Sequence, residues 1–210
     1  MSTIDNLLDP IKIPKMVKVR QYFERPVINN VEEEFIRKLN KKGVLSKIKE
    51  NQSVAIAVGS RGITDLPLMV KILVKQIKSV GGRPFIIPAM GSHGGATAEG
   101  QKDMLIRMGI SEEYVDTHIR ATMEVVQVGT SENGLPVYVD KFAYEADAIV
   151  IINRIKPHVA FRGKYESGLM KMIAIGLGKQ KGADICHDLG FAKWLRTYRQ
   201  SEKRHWKRQT

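Results

Sequence analysis

Arg61, His93, His158, Lys171 and His187 are the side chains whose types and surroundings suit chemistry on a small anion. Arg61 sits in a Gly59-Ser60-Arg61-Gly62 turn, where a guanidinium can grip a carboxylate through two hydrogen bonds. The bland alternative is a surface arginine flanking a helix. His93 lies in Gly91-Ser92-His93-Gly94-Gly95 and His158 in Lys156-Pro157-His158. An imidazole titrates near neutral pH, so a histidine held in a cleft can take or return a proton. A loop histidine bonded only to backbone is the competing explanation. Two such histidines on neighbouring loops could work on opposite faces of one stereocentre, as racemisation or epimerisation requires.

Lys171 follows Ser167-Gly168-Leu169-Met170 at the start of a helical stretch. Beside apolar residues its amine can lose its proton and act as a nucleophile; otherwise it is an exposed helix lysine. His187, in Ala183-Asp184-Ile185-Cys186-His187-Asp188, can bind a metal through its ring, with Asp184 or Asp188 orienting it. Cys186-His187 is not a zinc motif, because no second pair stands at ligand spacing. His118 and His205 read as surface residues.

Positioning such groups needs strands that end in these loops. Ser53 to Val58, Arg83 to Ala89 and Ala148 to Ile152 are short apolar runs, and each is followed by one of the polar loops. The last reads as a buried parallel strand. Helices are expected from Asn30, which caps with Glu33 in a capping box, to about Lys49. Another should start at Thr64 with Pro67 in its first turn and end at Gly81-Gly82, and a third should run from Thr97 to Met108. Met16 to Ile28 alternates enough for a half-exposed strand, and residues 1–15 read as an extended arm. Val125 to Val128 and Leu135 to Val139 flank Asn133-Gly134, the signature of a hairpin. Phe142 to Ala146 reads as a short helix and Leu169 to Leu177 as a longer one. The fold class is therefore α/β: a mostly parallel sheet with helices on both faces and a hairpin insertion. Its three polar loops should gather at the carboxyl edge, where such sheets bind ligands.

With 210 residues the chain has room for one full α/β domain, read as 1–190, followed by a basic tail at 191–210. From Lys193 on there are seven Lys/Arg against one Glu, which is +6 of the net +12. Trp194 and Trp206 lie there too. The tail reads as the end of a truncated or out-of-frame chain, a solvated extension, or an arm for nucleic acid or membrane. The rest of the charge is mixed, which favours an enzyme holding anions over a nucleic-acid binder. No run of ~18 apolar residues is present and no signal peptide is evident, so a cytoplasmic location is expected, with no membrane partner. The single cysteine, Cys186, cannot form an intrachain disulfide.

Taken in order, GSRG, GSHGG, PH, SGxxK and a histidine sixteen residues after that lysine resemble the N-terminal domain of the lactate racemase family, over about residues 15–190. The resemblance implies a nickel-dependent 2-hydroxyacid racemase or epimerase. Its cofactor is a nickel-pincer nucleotide, a pyridinium-3-thioamide-5-thiocarboxylic acid mononucleotide whose sulfur and carbon atoms hold nickel. By the same resemblance Lys171 binds the cofactor covalently, within Ser167-Gly168, and His187 completes the nickel ligands. His93 and His158 act as acid/bases, and Arg61 orients the substrate carboxylate. Hydride leaves the substrate carbon for the cofactor and returns to either face. The implied partners are a small 2-hydroxyacid and the enzymes that build the cofactor. The sequence departs from the family at Val58, where the racemase carries an acidic residue, and in the longer loop between His158 and Lys171, which holds Lys164 as a second candidate for attachment. The family also has a second domain that completes the site, so this chain alone is expected to be inactive or poorly active. The competing functions are a non-catalytic module for a phosphorylated or carboxylated metabolite, and nucleic-acid binding through the tail.

Overall fold

The structure, a computed structural model, describes residues 8–188 apart from 10, 13, 42, 61, 132–133, 159–161 and 163–165. The tail, its tryptophans and Lys164 lie outside the described residues.

The sheet is built on β1 (Ser53–Val58), which pairs in parallel with β2 (Arg83–Pro88) on one side and β5 (Ala148–Ile152) on the other. The side chains of β1 alternate between two cores, as a strand's period of two requires. Val54, Ile56 and Val58 enter one with Leu39, Val70, Leu73, Ile77, Leu105 and Val115. These come from α1 (Val31–Lys41), α2 (Leu66–Ser79), α3 (Ala98–Arg107) and α4 (Glu112–Val115). Ala55 and Ala57 face the other core, with Phe85, Ile87, Val139, Ala143, Met172 and Leu177. That layer comprises the antiparallel hairpin of β3 (Val125–Thr130) and β4 (Pro136–Asp140), α5 (Lys141–Glu145), and a helical segment beginning at α6 (Leu169–Lys171).

Local chemistry sets most of the boundaries. Asn30 accepts a hydrogen bond from the Glu33 N–H at 3.1 Å, the expected cap of α1. Thr97 caps α3 through Gly100 N–H at 3.0 Å, and Asp140 caps α5 through Ala143 N–H at 3.0 Å. Asp147 accepts from both the N–H and the hydroxyl of Ser53, at 2.7 and 2.6 Å, and so fixes β5 against β1. Those bonds hold its carboxyl below the usual carboxylate range.

Four expectations need correction. Met16 to Ile28 is not a strand: its residues carry no regular structure and are exposed, Met16 at 91% and Tyr22 at 85%. An alternating pattern makes a strand only where a partner edge supplies hydrogen bonds, and none of the described strands pairs with it. Helix α1 stops at Lys41, and a short 3-10 turn, Leu45–Lys47, replaces its expected last turns. Asp65, not Thr64, precedes α2, in a left-handed conformation with no side-chain cap. Finally, β5 is an edge strand, half-buried at all five positions, not a fully buried one. The outer edge of β2, by contrast, is closed by the 118–120 segment, through Ile86 N–H to His118 O at 2.9 Å and Arg120 N–H to Ile86 O at 2.8 Å.

Ile56 is fully buried on the central strand and packs among α1, α2 and α3. Ile56→Ala should therefore cost about 2–5 kcal/mol, seen as a lower urea midpoint with an unchanged slope.

Candidate functional site

The parallel register puts the three loops together. Val58 pairs with both Pro88 and Ile152, so the chain leaves β1, β2 and β5 at one level of the sheet. The loop after β1 meets the loop after β2 directly: Ser60 Oγ lies 2.5 Å from His93 Nδ1. His93 itself is exposed. Its loop starts at Gly91, whose φ of +61° is costly for any other residue. Gln101, fully buried on α3, holds the loop from beneath by donating to Gly91 O at 2.8 Å and His93 O at 3.2 Å. Arg61 lies outside the described residues.

The loop after β5 carries His158, only 8% exposed. Two ions bracket its backbone. Glu166 accepts from the His158 N–H at 2.9 Å, Arg162 donates to the His158 carbonyl at 2.6 Å, and the two charges lie 3.7 Å apart. Burial, then the charge of Lys171, pushes the His158 ring below its ordinary 6.5, with Lys156 and Arg162 acting in the same sense and Glu166 opposing. His158 and Lys171 are thus neighbours in space. Lys171 is half-buried and Ser167 is half-buried beside a buried Gly168.

The single helix expected over Leu169 to Leu177 is two pieces, and a further helix follows them. After α6 comes a π turn, Met172–Gly176, in which Leu177 N–H reaches Met172 O at 2.8 Å, five residues back. A new helix, α7 (Lys179–Asp188), then runs to the end of the described chain. Such π turns are rare and occur often at functional sites. Here the turn lies flat against the strand ends. A Cβ on Gly176 would stand 2.7 Å from Ala89 O, and one on Gly91 would stand 2.8 Å from Ile175 Cγ2, so the backbones meet where side chains are missing. Gly91 N–H donates to Gly176 O at 3.2 Å across the contact. Met172 reaches Gly59. The residues that follow Lys171 thereby meet the starts of the loops that carry Ser60 and His93.

His187 is exposed in the last turn of α7. Cys186 beside it is buried, which pushes its thiol up to about 12 and leaves it a poor ligand. Among the described residues no group of three His, Cys, Asp or Glu side chains is placed to hold a metal.

The residues that sequence reasoning missed are buried and charged. Lys179 and Asp140 are each 0% exposed, with 3.1 Å between Lys179 Nζ and Asp140 Oδ2. Asp140 Oδ2 has no well-aligned hydrogen bond, so that contact is one of charge. The Lys179 ammonium also donates to the Pro88 carbonyl and, at 3.0 Å, to Gln101 Oε1. Burial pulls both groups toward neutrality, raising Asp140 and lowering Lys179, while each favours the charged form of the other. Lys179 has φ +54°, a strained value for a non-glycine residue, at the first position of α7. The cap signal of Asp140 is legible in Asp140-Lys141-Phe142-Ala143; nothing marks Lys179 apart from the surface lysines around it.

Polar loops at the carboxyl edge of a parallel sheet stand where α/β folds commonly bind ligands. The lactate racemase N-terminal domain matches residues 9–196, nearly the whole sequence, and the chain belongs to that family. No curated protein matches it.

Because His158's native pKa lies below its unfolded value, protonating it opposes folding. Stability should fall as pH drops from 6.5 toward the lower native midpoint, and His158→Gln should remove that part of the slope. Ring NMR of the native protein should show His158 titrating below 6.5. Gly176→Ala should push the π turn off Ala89 and destabilise the domain by about 1–3 kcal/mol, read by thermal unfolding.

Proposed function

We propose that the chain is the cofactor-binding part of a nickel-pincer-dependent 2-hydroxyacid racemase or epimerase. The observation that carries this reading is Lys171. It immediately precedes a π turn that packs against the ends of the loops carrying Ser60 and His93, and its charge acts on His158. Lys171 attaches the nucleotide, with Ser167 and Gly168 at the attachment turn, and His187 supplies an imidazole to nickel. One amine and one imidazole suit a group that brings its own sulfur and carbon donors. When bound, that group supplies the acceptor for a hydride.

The remaining work falls to the chain's own residues. Arg61 holds the substrate carboxylate. His158, kept neutral by burial and by the Lys171 charge, can accept a hydroxyl proton at neutral pH. A thioamide link at Lys171 would remove that charge and make His158 a stronger base. Ser60 holds Nδ1 of the His93 ring and so orients the imidazole for proton exchange. Two imidazoles on separate loops let the hydroxyl proton be handled on either face of the carbon. The substrate is a small 2-hydroxyacid, and the enzymes that make the cofactor are the protein partners.

The test is intact mass with nickel content, on protein from cells that also make the cofactor. A nucleotide-sized increment on Lys171 with nickel near one per chain is expected. Lys171→Ala should lose the increment and stay folded. His187→Ala should lose nickel more than attachment. A bare mass from every preparation would favour a metabolite-binding module, and an increment retained in Lys171→Ala would remove that residue from the assignment.

A further inference from the structure

We infer that Lys179 and Gln101 form a positioning device that locks the His93 loop to the Lys171 segment. The inference rests on the reading above only in treating His93 and Lys171 as parts of one site. Its ground is a continuous buried chain of polar contacts. At one end Asp140, at the close of β4, faces Lys179 at 3.1 Å, and its N–H donates to Leu177 O at 2.7 Å. In the middle, the Lys179 ammonium joins the Pro88 carbonyl at the end of β2 to Gln101 Oε1. At the other end, Gln101 Nε2 holds the carbonyls of Gly91 and His93. All three side chains are completely buried.

The chain of contacts does more than neutralise a charge. Gln101 cannot turn over without exchanging its donor and acceptor, because Lys179 requires the oxygen and the two carbonyls require the nitrogen. The orientation of one buried amide therefore sets the height of the His93 loop above the π turn. Lys179 is also the first residue after the Leu177-Gly178 turn, and its left-handed backbone is held by its own buried side chain. A shift of α7 along its axis would drag the ammonium off Pro88 and Gln101. The two halves of the site thus move together or not at all.

A buried ion pair can also be purely structural, and a neutral pair of similar size often replaces one without loss. That gives the test. The double variant Lys179→Met/Asp140→Asn removes both charges and keeps the cap on α5. Gln101→Met removes only the bonds to the loop and to Lys179. Both are studied as the full chain without cofactor, by thermal unfolding, amide exchange and His93 ring NMR. The expected result is a folded protein with β1 amides unchanged. The Gly91 to Ala96 amides should lose at least about tenfold in protection, and the His93 ring signal should shift. Loop protection and ring signal equal to wild type in folded variants would overturn the positioning role. So would failure of both variants to fold, since the network would then be a condition of folding. A wild-type chain that takes up no cofactor would count against the proposed function and leave this result standing.

Discussion

The burial of one ammonium is the constraint on which the arrangement depends. A buried ammonium needs acceptors and an opposite charge, and for Lys179 these come from three separate places: a carbonyl at the end of β2 and an amide oxygen on α3 accept from it, and the Asp140 charge faces it from the end of β4. Satisfying it therefore draws the parallel sheet, the helix beneath the His93 loop and the hairpin layer to one point. The π turn sits directly above that point. Its flat approach to Ala89 and Gly91 is open only because residues 91 and 176 lack side chains.

The electrostatics of the site divide along the same line. Beneath it lies a pair whose members are forced to share one buried environment. Above it, His158 meets a half-buried lysine and is bracketed by an arginine and a glutamate that hold its peptide group and leave the ring to its surroundings. Backbone clamping fixes where the imidazole is, and burial with neighbouring cations fixes how basic it is. Arg162 and Glu166 belong to both controls, because their charges also act on the ring, in opposite senses.

Much of this was legible in the residues. The extent of β1, the Asn30 cap, the hairpin, the short helix after it and the gathering of three loops all follow from alternation, capping, turn chemistry and the order of strands and helices along the chain. What could not be read depends on partners distant in sequence. Met16 to Ile28 alternates like a strand, yet no described strand pairs with it. The apolar run of β5 looks central in sequence and lies at an edge, because strand order is a tertiary property. Lys179, in Gly178-Lys179-Gln180-Lys181, has the spelling of a solvated turn. Only the fold reveals that its partner is Asp140, at the end of a different layer.

The π turn has a consequence for how a lineage could alter this domain. Residues of a helix are spaced by about 100° and 1.5 Å along the axis. Gly176 and Gly91 pin the turn at its far end, so losing or gaining one residue between Lys171 and Gly176 would leave the pinned end in place and turn the lysine to a different side of the segment. The length of that short segment is thus under a stricter geometric rule than its composition. Met, Ile and Ala can exchange there with modest repacking, but an insertion or deletion would aim the amine at a different wall of the cleft.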